Sequence, residues 1–322
     1  MQEEAVSIVA MQDGLSDSDD NDDGRGTAAA GSAAANDDDG RRTGAAVALD
    51  DVTMTYGGPR STAVLQRVSL SVKSGTRVAV VGRTGAGKSS LLAALLRLRP
   101  LLRGTVAIDG VASTAVLHDA WRERVAVLPQ DPFVRHGTVR ENLALSGADF
   151  SSVDDESGNE AGRRGTSNSK RRRRRQAAGQ QRAVDQAMRR VLDDVGLGGL
   201  SLSAEVGDGG DKLSAGQRQL LGVARVLLTG CSLVVMDEPS AALDAASAAR
   251  VEAAIAAHLH GCTVIVVTHK LADIATAYDH VVVLHRGRLA EQGTPAALLA
   301  DPSTSLYRLV NGTSQPAAAE SA

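Results

Sequence analysis

Gly82-Arg83-Thr84-Gly85-Ala86-Gly87-Lys88-Ser89 decides the fold of this chain. The octapeptide follows an apolar run, Arg77–Val81, and precedes a helix-patterned one, Leu91–Leu98. Strand, glycine-rich loop and helix in that order make a phosphate-binding loop. Its glycines let backbone N–H groups turn toward phosphate oxygens, and the helix start adds partial positive charge. Lys88 is then expected to reach β- and γ-phosphates, and Ser89 to ligate Mg2+. Leu233-Val-Val-Met-Asp237-Glu238 supplies the other half. An apolar strand ending in Asp puts a carboxylate at the sheet edge beside the loop, where Asp237 holds Mg2+ directly or through water. Glu238, one residue on, points elsewhere and is placed to polarise an attacking water.

The remaining sequence is consistent with such a fold. In 322 residues, 43% hydrophobic and 23% charged, there is room for one large domain or two ordinary ones. Aromatics make up 2%, so the core must be Val, Leu, Ile and Ala, and an aromatic-rich nucleic-acid stacking surface is excluded. Apolar runs such as Val78–Val81, Leu233–Met236 and Val264–Val267 are strand-length. None approaches the ~18–20 residues of a membrane helix, so the chain is not expected to span a bilayer by itself. No basic-then-apolar leader opens it, so no secretory signal is evident. The net charge of −3 sums opposed blocks. Cys231 and Cys262 each precede a β-like run and read as buried reduced thiols.

Residues 1–46, with acidic clusters at Asp17–Asp23 and Asp37–Asp39, read as a disordered acidic tail. Strand signals begin near Val47 and recur at Thr76–Val81, Thr105–Ile108, Arg124–Leu128, Leu233–Met236, Thr263–Val267 and His280–Leu284. Helical patterns between several of them argue a mostly parallel sheet with crossover helices. Residues 146–181 lack periodicity and read as a disordered insert, at small entropic cost to the host. Helical spacing resumes with Val184, Met188, Val191, Leu192 and Val195. The domain thus runs over about 47–312, with 313–322 a loose tail. Within the insert, Lys170–Arg175 suits phosphate-backbone binding, a nuclear-import address or anionic lipid, with a solvated loose run as the plain alternative. Arg163-Arg164-Gly-Thr166 has the form of a basophilic kinase site. His118, His136, His258, His260, His280 and His285 show no metal-ligand spacing and read as structural, as does Trp121 as a packing residue.

Leu213-Ser214-Ala-Gly216-Gln217 opens an apolar-faced helix. Ser214 at N-cap and Gln217 three residues later form a capping box. Gly216 in the first turn is a poor helix former, costing about 0.8–1 kcal/mol in an interior. It makes sense where a phosphate approaches that helix end closely. Two anion-binding helix starts in one domain suggest that the second serves another molecule's nucleotide.

The order Gly82–Ser89, Gln130, Leu213–Gln217, Asp237–Glu238, Asp244, His269 resembles the nucleotide-binding domain of ATP-binding cassette (ABC) transporters, over about residues 47–312. The LSxGQ pattern is close to diagnostic, whereas a phosphate loop alone is shared by many NTPases. The resemblance implies an α/β fold: a P-loop NTPase core with a mostly parallel sheet, an antiparallel β subdomain and a helical subdomain. It implies ATP bound by Gly82, Arg83, Thr84, Gly85, Ala86, Gly87, Lys88, Ser89 and Ser90, with adenine stacked on Tyr56. Gln130 would sense Mg2+ and couple to a membrane partner, and His269 would contact the γ-phosphate. Ser214, Gly216 and Gln217 would close over ATP on a facing cassette, and Asp244 would lie across that dimer interface. VGRTGAGKSSL at Val81–Leu91, LPQDP at Leu128–Pro132, GTVRENL at Gly137–Leu143 and GQRQL at Gly216–Leu220 are most similar to the second cassette of the multidrug-resistance-associated (C) subfamily. DEPSAALD at Asp237–Asp244 and THK at Thr268–Lys270 depart from its usual DEATAS and AHR.

The implied activity is ATP hydrolysis powering export, at the cytoplasmic face of a membrane. The partners are a second cassette and membrane domains, on the same full-length chain or a separate subunit. The alternative is a soluble cassette ATPase acting on nucleic acid or ribosomes through Arg171–Arg175. Against it, such relatives usually carry two cassettes, and this chain has one phosphate loop, so nucleic acid is not the expected partner. An inactive regulatory cassette is disfavoured because every catalytic position is filled.

Overall fold

The computed structural model describes residues 44–57, 61–145 and 167–312. Strands β1 (Val47–Met54), β2 (Leu65–Val72) and β3 (Arg77–Val81) come first, and α1 (Lys88–Leu95) follows the phosphate loop. Next are β4 (Leu101–Ile108), β5 (Val111–Ala112), α2 (His118–Arg122) and β6 (Val125–Leu128). Helices α3 (Val139–Ala144), α4 (Ser167–Val195) and α5 (Ala215–Leu228) precede β7 (Leu233–Asp237). Then come α6 (Ala245–His258), β8 (Thr263–Val267), α7 (Ile274–Ala277) and β9 (His280–His285). β10 (Arg288–Gly293), α8 (Pro295–Ala300) and α9 (Ser305–Val310) close the order.

The described residues divide into two compact units: those up to Gln130 with Cys231–Pro239 and those from Leu259 onward, and those between Asp131 and Gly230 with Ser240–His258. The first holds a six-stranded sheet, β10-β9-β3-β8-β7-β6, parallel except for β10. Its central strands are Val-rich and buried on both faces, as parallel strands covered by helices must be. Val78, Val80, Val235, Ile265 and Leu284 pack with α1, while Ala79, Val81, Val281 and Val283 meet Ile274 and Leu306. A four-stranded antiparallel sheet, β2-β1-β4-β5, completes this unit. Trp121 is a packing residue, fully buried, and its indole N–H donates to Leu95 O at 2.9 Å.

The first unit departs from the sequence expectations at four places. Strand β2 has no match among the strand signals because its buried positions, Leu65, Val68, Leu70 and Val72, are not evenly alternating. Arg67 at φ 55° and the facing Asp51 at φ 48° shift the register there. Strand β10 is an edge strand too polar to signal itself. Cys262 is buried, but Cys231 is only half-buried. Ala45 is also fully buried, its carbonyl accepting from Thr263 Oγ1 at 2.7 Å, so packing begins ahead of Val47. Residues 1–43 of the acidic tail, the 313–322 tail and residues 146–166 of the insert, Thr166 among them, lie outside the described residues.

The second unit is helical among its described residues, and it overturns the later part of the insert. Residues 167–181 form the first half of α4, the helix that farther on buries Met188, Val191, Leu192 and Val195. Apolar periodicity is silent over Lys170–Gln181, yet Arg, Lys, Gln and Ala are among the best intrinsic helix formers. Arg140 and Asp185 form an ion pair here. Arg225 of α5 is held by carbonyls: it donates to Asn142 O and Phe133 O, both at 2.9 Å, and to Asn142 Oδ1. Burial pushes its guanidinium down to about 10. Asn142, itself fully buried, donates to Arg135 O and Thr138 O, so one arginine organises the segment 133–142.

Replacing Arg225 by Met strips these carbonyls of their donor in a buried setting. Arg225→Met is expected to lower the stability of the second unit by about 2–3 kcal/mol, read from urea denaturation.

Candidate functional site

In the first unit, β3, β7 and β8 run parallel, so their C-terminal ends share one edge. From that edge extend the phosphate loop, the Asp237–Glu238 pair, and Thr268 with His269. The loop closes on backbone contacts. Gly82 has φ 154°, and a Cβ there would lie 2.4 Å from Leu284 O, which no other residue type tolerates. Gly87, left-handed at φ 102°, is the N-cap of α1, and Leu91 N bonds back to its carbonyl at 2.9 Å.

Lys88 is buried, and its ammonium donates to Gly82 O at 2.9 Å and Arg83 O at 3.2 Å. Burial pushes its pKa down, against the pull of Glu238 and Asp237. Asp237 is pushed up to about 6 by burial and by Glu238, with Lys88 opposing. Glu238 adopts a left-handed backbone, φ 50°, costing on the order of 1 kcal/mol in a non-glycine residue. Its N–H donates to Val267 O at 2.9 Å. His269 Nε2 lies 3.1 Å from Glu238 Oε1. A cavity of about 490 Å³ is lined by Gly82, Arg83, Thr84, Thr268, His269, Leu271 and Leu309.

The structure thus brings Lys88, Asp237, Glu238 and His269 together. Ser89 is exposed in the first turn of α1, and Ser90 beside it is buried. Tyr56 joins them through its hydroxyl, 3.1 Å from Ser90 Oγ. Gln130 is exposed two residues beyond β6.

Ser214, Gly216, Gln217 and Asp244 belong to the second unit. The capping box forms: Gln217 N donates to Ser214 Oγ at 3.1 Å, and Ser214 N to Gln217 Oε1 at 2.9 Å. A Cβ on Gly216 would meet only ordinary contacts, the nearest Ala242 O at 3.5 Å. Nothing in its own unit therefore requires that glycine. Asp244 is engaged locally, accepting from Ser247 N and Ser247 Oγ, both at 2.9 Å, which holds its carboxyl below the usual range. Asp244 thus caps α6, a role that Asp-x-x-Ser before a helix signals in the sequence. Arg99, whose guanidinium lies over the Tyr56 ring, carries no local sequence signal, because only the tertiary fold brings the two together.

A family model described as ABC transporter matches residues 65–241. The chain belongs to the ABC transporter family. It is 37% identical over 251 residues to ABC transporter C family member 8 of Dictyostelium discoideum, covering 78% of this chain and 14% of that protein. It is 36% identical over 245 residues to ATP-binding cassette sub-family C member 2 of Rattus norvegicus, covering 76% and 14%. The cassette thus spans about one seventh of the length of these curated relatives. Among solved structures, a bacterial Atm1-family ABC exporter with ATP bound matches at TM-score 0.67 and 26% identity, covering 85% of this chain and 42% of that one.

Gly82→Ala combines a strained backbone with a clash against a main-chain carbonyl. It is expected to destabilise the first unit by at least about 2 kcal/mol, measurable as a lowered urea midpoint.

Proposed function

We propose that this chain is an ATP-binding and ATP-hydrolysing cassette that powers transmembrane export, working as a head-to-tail dimer. The convergence of Lys88, Asp237, Glu238 and His269 at the exit edge of the parallel sheet carries this reading. The cassette extends over about 47–312 and corresponds to the second cassette of a C-subfamily transporter. Its partners are another cassette and membrane domains, through which it is held at the cytoplasmic face of a membrane.

Tyr56 receives adenine, Gly82–Ser90 wrap the phosphates, and Lys88 turns from the loop carbonyls to the β- and γ-phosphates. The residues present fit Mg2+ by the chemistry of their donors: Asp237 is a buried carboxylate at the end of β7, and the Ser89 hydroxyl is exposed in the first turn of α1. Ser89, Asp237 and Gln130 would hold the ion, which when bound offsets the charge of the phosphates. Glu238 accepts a proton from water as the water oxygen bonds to the γ-phosphorus. The bond from that phosphorus to the bridging oxygen breaks, leaving ADP and inorganic phosphate. His269, beside Glu238, orients it and contacts the γ-phosphate. Catalysis is positioning plus charge stabilisation.

A facing cassette's counterpart of Ser214–Gln217 closes over the γ-phosphate, with Asp244 near the interface. The lack of any steric need for Gly216 within its own unit supports this, since the glycine then serves an approach from outside. Glu238→Gln is expected to lower ATP turnover by about a hundredfold or more while nucleotide still binds and ATP-dependent dimers accumulate on size exclusion. Unchanged turnover overturns the assignment. Gly216→Ala is expected to raise or preserve the urea midpoint, by up to about 1 kcal/mol, yet weaken the ATP-dependent dimer.

A further inference from the structure

Tyr56 is held more firmly than an exposed loop tyrosine has reason to be. Its strand, β1, ends at the fully buried Met54, and Thr55 Oγ1 accepts from Gly57 N at 3.1 Å, fixing the turn. Its hydroxyl bonds the buried Ser90, one residue beyond Ser89 on α1. The guanidinium carbon of Arg99 lies 5.7 Å from the ring centroid. That contact follows from strand pairing. β1 and β4 are antiparallel with Met54 opposite Leu101 as the last pair, and Tyr56 and Arg99 each lie two residues beyond it at the same end of the ladder. Pro100 follows Arg99 and disfavours a helical backbone there, so α1 does not continue into β4. Tyr56 nevertheless stays 41% exposed.

We propose that Arg99 and Ser90 are positioning residues that turn Tyr56 into a fixed platform for a nucleobase. This rests on the nucleotide reading above and adds to it the determinants of base affinity. Arg99 lies over one face of the phenol, and the exposed part of Tyr56 is where a planar, electron-rich ring would stack. A cation over one face withdraws electron density and favours an electron-rich partner on the other. The Tyr56–Ser90 bond ties the platform to the helix that starts at the phosphate loop. The distance from base to phosphates is therefore set by one hydrogen bond and one cation–π contact. A ligand with phosphates but no base gains nothing from either.

The test compares ATP with inorganic tripolyphosphate, each with Mg2+, by titration calorimetry on the full chain. Arg99→Ala is expected to weaken ATP by about two- to fivefold and leave tripolyphosphate unchanged. Arg99→Lys, which keeps a cation, should restore most of the loss. Tyr56→Ala should reduce ATP affinity further, toward that of tripolyphosphate. An unchanged ratio of ATP to tripolyphosphate affinity in Arg99→Ala, or equal loss of both ligands, overturns the platform. Wild-type protein that binds tripolyphosphate as tightly as ATP overturns it too, while leaving the phosphate loop intact. Wild-type protein that binds neither overturns the nucleotide reading, and the platform with it.

Discussion

Parallel pairing of β3, β7 and β8 is the constraint on which the rest depends. Parallel strands leave a sheet at the same edge, so whatever follows each strand gathers there whatever its distance in sequence. Asp237 lies about 150 positions from Lys88, yet both are buried at that edge and each shifts the other's pKa. The register requires the loop to leave β3 tightly, and the approach of Gly82 to Leu284 O of the neighbouring β9 is the consequence. The loop is therefore shaped by the sheet as much as by its own glycines.

The same burial leaves the site electrostatically unbalanced. A buried lysine would rather be neutral and a buried aspartate would rather be protonated, and each shifts in that direction. Their attraction opposes both shifts without cancelling them. Glu238 adds a second carboxylate and a left-handed backbone, so charge and strain are concentrated at adjacent residues. A fold selected only for stability would relax both. A site that must receive a polyanion with its counter-ion has reason to keep them.

The helical unit shows where reading a sequence by apolar period succeeds and where it fails. The buried stripe of α4 from Met188 is visible at helical spacing, because packing demands one apolar face. Its first half shows no stripe, and only intrinsic propensity hints that Lys170–Gln181 continues the helix. Arg225 was invisible for a different reason. An arginine in an apolar helix is silent about which carbonyls it will reach, and those of Phe133 and Asn142 lie more than 80 positions away. Strand β2 escaped because a register shift at Arg67 destroyed the alternation that announces a half-buried strand.

What the sequence by itself determined is the chemistry available and its order: a phosphate loop between strand and helix, a carboxylate pair ending a strand, and a capped helix start carrying an unneeded glycine. Those are local signals, because loop, cap and strand end each depend on residues within a few positions of one another. Only the tertiary structure decided which side chains meet. It set His269 against Glu238, bonded Tyr56 to Ser90, and laid Arg99 over the Tyr56 ring. These contacts follow from strand order and register, which are settled by burial summed over the whole sheet and leave no mark at any single residue.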